Sequence, residues 1–197
     1  LALHYKSHIL SYIEYRSPAN THAANVHLTL VDSVQKRFLR NVNMTSLEAL
    51  HQINLAPLSC RRDIANLGII FGAVTKRGPH QLRSLFRLSG SSLRSSPRRP
   101  SHRFQVVDAI RVLCKDYLDR SAFGYVAVFN LLPECVFHTE DDAVFPISVS
   151  PFQANLTFLL KSASHHELEW EGLFSPRTTI FDNVLRRFSQ VSSLSAI

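Results

Sequence analysis

Cysteine is scarce in this 197-residue chain. Cys60, Cys114 and Cys135 are far apart and odd in number, so a disulfide framework is excluded and reduced thiols are expected. Long apolar runs are missing as well: no stretch approaches the roughly 18 uninterrupted apolar residues of a membrane span. The N-terminus has no basic, apolar and small-residue succession of a secretory signal. The expected setting is intracellular, cytoplasmic and nuclear, with no membrane partner. Methionine occurs once, at Met44, and the chain opens at Leu1 with an amphipathic pattern already running. That points to a piece of a longer polypeptide. Acidic residues are absent between Lys76 and Arg103, where eight of the 22 Lys/Arg fall, leaving 14 basic against 15 acidic residues elsewhere. This stretch therefore carries the whole net charge of +7. It reads either as the footprint of a polyanion binder or as a solvated basic linker.

What is present is helical periodicity, and an apolar content of 45% is enough for a buried core. Leu3, Ile9, Leu10 and Ile13, with Tyr5, Tyr12 and Tyr15, predict a helix over 3–15 that Pro18 stops. Leu30, Val31, Val34, Phe38 and Val42 predict an apolar stripe on a second helix over 22–42, capped by Asn20 or Thr21. Thr45 with Glu48 spells a capping box for a short helix over 46–53. A break at 55–58 precedes a fourth helix, capped by Ser59, that buries Ile64, Leu67, Phe71 and Val74 and ends at Gly78-Pro79. Short links between four helices imply a bundle.

From Gly90 to Ser101 the chain is Gly, Ser, Pro and Arg with Leu93 as its one apolar residue, a composition that cannot bury enough surface to order itself. Helical spacing resumes over 104–117, and 123–132 is apolar up to Pro133. Val136-Phe137 and 144–149 are β-like, and helices restart near Phe152 and near Phe181. The expected fold is mainly α. A helical bundle occupies 1–89, a basic linker 90–103, and a helical C-terminal part with a short β-like segment 104–197.

Catalytic constellations are thin. Asp141-Asp142 is the one Asp-Asp pair, but no apolar strand leads into it and Thr139 precedes Glu140, so a solvated acidic turn is the expectation. Cys135-x-x-His138 and the adjacent His165-His166 lack the two close-spaced ligand pairs of a zinc site. No catalytic residue, metal or cofactor is expected. The three cysteines lie in apolar or helical stretches where small buried thiols are common. Trp170, between Glu169 and Glu171, is expected as a hydrophobic anchor. The cations are more informative. Lys36, Arg37 and Arg40 are expected on a helical face opposite Val34 and Phe38, where they can meet a phosphate backbone together. Arg61 and Arg62 fall in a helical first turn, where the macrodipole disfavours cations unless an anion is bound or a carboxylate neutralises them. Lys76, Arg77, Arg94, Arg98 and Arg99 complete the candidate nucleic-acid-binding set.

Several stretches, taken in order, resemble the segment after the catalytic palm in non-LTR (LINE-type) retrotransposon reverse transcriptases. They are Tyr5-Lys6-Ser7-x-Ile9-Leu10-x-x-Ile13-Glu14-Tyr15, Val34-Gln35-Lys36-Arg37-Phe38 and Leu55-x-x-Leu58-x-x-Arg61-Arg62. Further on come Ser121-x-Phe123 with Asn130-x-Leu132-Pro133, similar to the family's WNxLP element, and Ser150-x-Phe152-Gln153-x-x-Leu156. Phe129 stands where the family has Trp. The resemblance covers roughly residues 5 to 160. It implies a thumb-like, non-catalytic fragment of an RNA-directed DNA polymerase. Its partners would be RNA, an RNA–DNA duplex and the palm of the parent polypeptide. The competing expectations are a helical protein-interaction module and a decayed retroelement remnant with no activity.

Overall fold

The computed structural model describes residues 1–15, 23–89, 102–107, 118–119, 121–138, 147–166 and 170–176. A first helical run, α1, comprises Ala2–His4, a π-type stretch Tyr5–Leu10, and Ser11–Glu14. It is followed by α2 (Asn25–Asn41), α3 (Ser46–Gln52), α4 (Leu58–Val74), α5 (His80–Arg83) and α6 (Val126–Leu131). A 3-10 turn at Glu134–Phe137 precedes α7, Val149–His165. The chain is mainly helical, as its periodicity predicts.

The capping box at α3 is formed as read. Thr45 Oγ1 accepts from the Glu48 backbone N–H at 3.2 Å, and the Glu48 carboxylate accepts from the Thr45 N–H at 2.7 Å. The Thr45 N–H and the Thr45 hydroxyl, the latter at 2.8 Å, both donate to the Glu48 carboxylate and hold that carboxyl below its usual range. By contrast α4 starts two residues earlier than expected, with Pro57 at the N-cap and no side-chain cap from Ser59. The C-terminus of α4 closes as a Schellman turn. Lys76 sits in the left-handed region at φ 60°, and the Arg77 and Lys76 N–H groups return to the Gly72 and Ala73 carbonyls. Asn43 (φ 54°) ends α2 in the same way, sending the Met44 N–H to the Leu39 carbonyl.

Helix α4 is the centre of the molecule and is buried almost all round, from Leu58 to Val74. Its N-terminal end packs into a smaller core of Tyr5, Leu10, Phe38, Leu39, Ala49, Leu55 and Leu58, where the Tyr5 and Phe38 rings stack at 4.0 Å. The rest of α4 lies in a larger core with α6, the 3-10 turn and α7. Phe71 stacks on Phe152 at 4.2 Å, and Phe137 touches Phe71, Phe129 and Phe152. Gly68 faces α7, where the Gln153 side chain lies against it: a Cβ at 68 would sit 2.5 Å from Gln153 Nε2, and that side chain would have to move. His51 of α3 meets Ser164 of α7 at 2.9 Å. Trp170, half-buried, packs against this core, as its anchor role predicts. Because the larger core draws on residues from both sides of 90–103, the described parts of 1–89 and 104–197 share one core rather than forming a separate bundle and appendage.

Three local expectations are corrected. The stripe of α2 does not face inward: Leu30 is 62% exposed, and Val31 and Val34 are also exposed, while Gln35, Phe38 and Leu39 are buried. The inward side is instead the one carrying Phe38 and Leu39, which join Tyr5, Leu10 and Leu58 in the smaller core, and the Gln35 amide beside them donates to the Ala56 carbonyl at 3.1 Å. Residues 104–107 are not helical. They form a turn and an isolated antiparallel bridge, Leu88 to Val106, with hydrogen bonds from Ser89 N–H to Gln105 O and from Val107 N–H to Arg87 O. Val136 and Phe137 lie in the 3-10 turn, not in an extended segment, and its carbonyl end is tied by Asn155, whose amide donates to Val136 O and His138 O. The acidic pair at 141–142, the linker core at 90–101 and the helices expected at 108–117 and near Phe181 lie outside the described residues.

Candidate nucleic-acid interface

The outward face of α2 carries Lys36, Arg37 and Arg40, all exposed. At 100° per residue they spread over the arc opposite buried Gln35 and Leu39, so their head groups reach solvent while the helix body is fixed by Phe38. Among the described residues none of the three has a carboxylate partner. Lys36 and Arg40 lie on the side away from Val34 and Phe38, as the periodicity predicts, whereas Arg37 is only about 60° from Val34. Val26, Leu30 and Val34 share the exposed side of the helix with Arg37, giving an outer surface that is apolar in its first half and basic in its second.

Arg61 and Arg62 leave the interface. The Arg61 guanidinium binds Glu14 of α1 through both carboxylate oxygens, the Nη2–Oε2 contact measuring 2.8 Å. Arg62 is buried and grips Asp32 of α2 at 2.6 and 2.9 Å. These bidentate pairs offset both the desolvation of the cations and their unfavourable place in the first turn of α4. Asp63, the nearest carboxylate in sequence, instead accepts from the Tyr125 hydroxyl at 2.6 Å. The two arginines are thus structural staples that hold α1 and α2 onto α4, with partners 47 and 30 positions away that local spacing does not reveal.

Lys76 and Arg77 are exposed at the opposite end of α4, roughly 20 Å along the helix axis from Arg62 at 1.5 Å per residue. The Lys76 carbonyl accepts from Arg83 Nη2 at 2.5 Å and the Gly78 carbonyl from Arg83 Nε at 3.2 Å, so Arg83 braces this turn. Arg94, Arg98 and Arg99 lie outside the described residues. Of the candidate cations, the described residues leave two exposed groups, Lys36, Arg37 and Arg40 on α2 and Lys76 and Arg77 after α4.

No family model, curated protein or solved structure matches the chain. Among the described residues no group of three or more His, Cys, Asp or Glu is placed to hold a metal ion. Cys60 is buried, and burial pushes its thiol up to about 11. Cys135 is exposed rather than buried, because it occupies the outer position of the 3-10 turn while Val136 and Phe137 turn inward. Two cavities flank the arginine staples. One, of about 350 Å³, is lined by Glu14, Arg61, Ser150, Gln153 and Thr157. The other, of about 240 Å³, lies between Ile13, His27, Leu28, Val31 and Arg62. Among the described residues no helix is long and apolar enough to cross a membrane.

Proposed function

We propose that the chain is a non-catalytic, thumb-like part of a LINE-type RNA-directed DNA polymerase that holds the RNA template and primer duplex by phosphate contacts, inside the cell in cytoplasm and nucleus. The observation that carries the reading is the exposed triad Lys36, Arg37 and Arg40, without a carboxylate partner among the described residues, on a helix whose other face is locked into the core. Such a rigidly mounted cluster meets a sugar–phosphate backbone without reading bases. Lys76 and Arg77, exposed beyond the C-terminal end of α4, supply a second contact. Polymerisation belongs to the palm of the parent polypeptide, which is the protein partner on this reading.

A second reading, a helical protein-interaction module, draws on one observation: Val26, Leu30 and Val34 are exposed on α2 at the i, i+4, i+8 spacing of a helix-docking ridge. Salt separates the two. Phosphate binding weakens steeply with ionic strength, and apolar docking does not. Titration of an RNA–DNA hybrid against the chain and its Lys36/Arg37/Arg40→Ala variant is the direct test.

A further inference from the structure

Residues 102–107 enter the core without forming a regular element, and every polar group that holds them is specific. His102 is 3% exposed. Its Nε2 meets the Phe129 carbonyl at 2.8 Å, which requires a proton on that nitrogen, and its Nδ1 accepts from the Phe104 backbone N–H at 3.1 Å, which requires that nitrogen to be bare. The two bonds together define the neutral Nε2–H tautomer. Further along, Asn130 of α6 acts as a substitute strand for Val106: Oδ1 accepts from its N–H and Nδ2 donates to its carbonyl, both at 2.8 Å. Gln105 Nε2 donates to the Asn130 carbonyl at 2.8 Å. The same segment carries the bridge to Leu88. It is a strap fastened across α6 at one end by an imidazole and at the other by a carboxamide.

We propose that this strap is an acid-sensitive latch, closed by neutral His102 and opened when His102 binds a second proton. The reading does not depend on nucleic-acid binding. A proton on Nδ1 would set two donors, its own N–H and that of Phe104, against each other. It would also place a cation between the rings of Phe129 at 5.3 Å and Phe137 at 4.3 Å, with both ring nitrogens facing backbone groups of Phe129 and Phe104 and neither bonded to a carboxylate. The ionisable groups nearby are Glu134, Arg103 and His138. Glu134 is occupied by Arg103 at 3.2 Å through both its backbone N–H and its Nε, and by His138 at 3.2 Å. Burial pushes the His102 pKa down, against the smaller opposing pull of the Phe129 carbonyl and Glu134. Since this base is depressed in the folded state, its neutral form stabilises the latch fully above the ordinary histidine value of about 6.5. That contribution is lost as pH falls toward and through the folded value. Opening frees residues 102–107 from α6, and with them the point where the basic stretch beginning at Lys76 is anchored at its far end.

The test is an NMR titration of the full chain labelled with ¹⁵N and ¹³C. At neutral pH, His102 must show a bare Nδ1 and a protonated Nε2. On acidification it must titrate below a histidine in an unstructured peptide, and the amide signals of Ser89, Phe104, Val106 and Val107 must shift with that same midpoint while those of Phe71 and Leu156 hold. In His102→Gln, a neutral donor and acceptor at every pH, the four amides should stay in place until the core itself melts. An Nδ1–H tautomer, an ordinary midpoint with unmoved amides, or a change that coincides with loss of the Phe71 and Leu156 signals would each overturn the proposal. The tautomer measurement on the unaltered chain stands even if the variant fails to fold.

Discussion

Removing Asp32 should release α2 from the central helix. Its carboxylate makes two charge-assisted bonds to Arg62, at 2.6 and 2.9 Å, in a site where the side chains are 26% and 11% exposed. Removing one partner of a fully buried pair costs about 3–5 kcal/mol, and a surface pair about 0–1. With the acid still a quarter open to water, Asp32→Ala should cost about 2 kcal/mol, much of it from leaving the Arg62 guanidinium buried without a counterion. A cycle of Asp32→Ala, Arg62→Ala and the double variant, each unfolded in urea, should give a coupling of about 1.5 kcal/mol. Lys36→Ala, on the same helix but exposed, is the control and should change stability by less than about 0.5 kcal/mol. A coupling near zero would mean that Arg62 is not a staple and would restore it as a candidate phosphate ligand.

Lys76→Gly should raise stability by about 0.5–1 kcal/mol in a urea melt, since a left-handed residue with a Cβ is relieved by glycine. Phe129→Trp should lower it by about 1–3 kcal/mol, because Phe129 is fully buried against His102, Phe137 and Phe152 and this core has no room for an indole. In the native chain at pH 8, a thiol reagent should label exposed Cys135 well before Cys60, which stays unreacted until denaturant is added, as mass spectrometry of the labelled peptides can follow; labelling of Cys60 as fast as Cys135 would contradict its burial.

Where a structural decision is local, the sequence declares it. Thr45 and Glu48 are three residues apart and cap α3 by themselves, and the Ile64, Leu67, Phe71 and Val74 spacing identifies a buried face of α4. Where the decision depends on a distant partner, spacing misleads. Gln35 is buried and Leu30 exposed because α2 turns Phe38 and Leu39 into the cluster of Tyr5 and Leu58, where the Ala56 carbonyl, 21 positions on, accepts the Gln35 amide. Arg61 and Arg62 look like an anion site until Glu14 and Asp32 are brought to them. Residues 104–107 have helical spacing, but Asn130 satisfies the Val106 backbone in an extended conformation instead. For the candidate interface, Lys36, Arg37 and Arg40 were legible because exposure of long cations on an amphipathic helix is the default, whichever apolar residues face inward.

The central claim is that the α2 cations hold a phosphate backbone, and the salt dependence of binding tests it most directly. Fluorescence anisotropy of a labelled RNA–DNA hybrid, measured from about 50 to 200 mM salt, gives a slope that counts the phosphates neutralised. Lys36/Arg37/Arg40→Ala should weaken binding and flatten that slope by about two to three contacts. Lys76/Arg77→Ala should flatten it by about one to two, with the urea midpoint of both variants unchanged. An unaltered slope in the α2 variant, or no salt-dependent binding by the unaltered chain, would contradict the account.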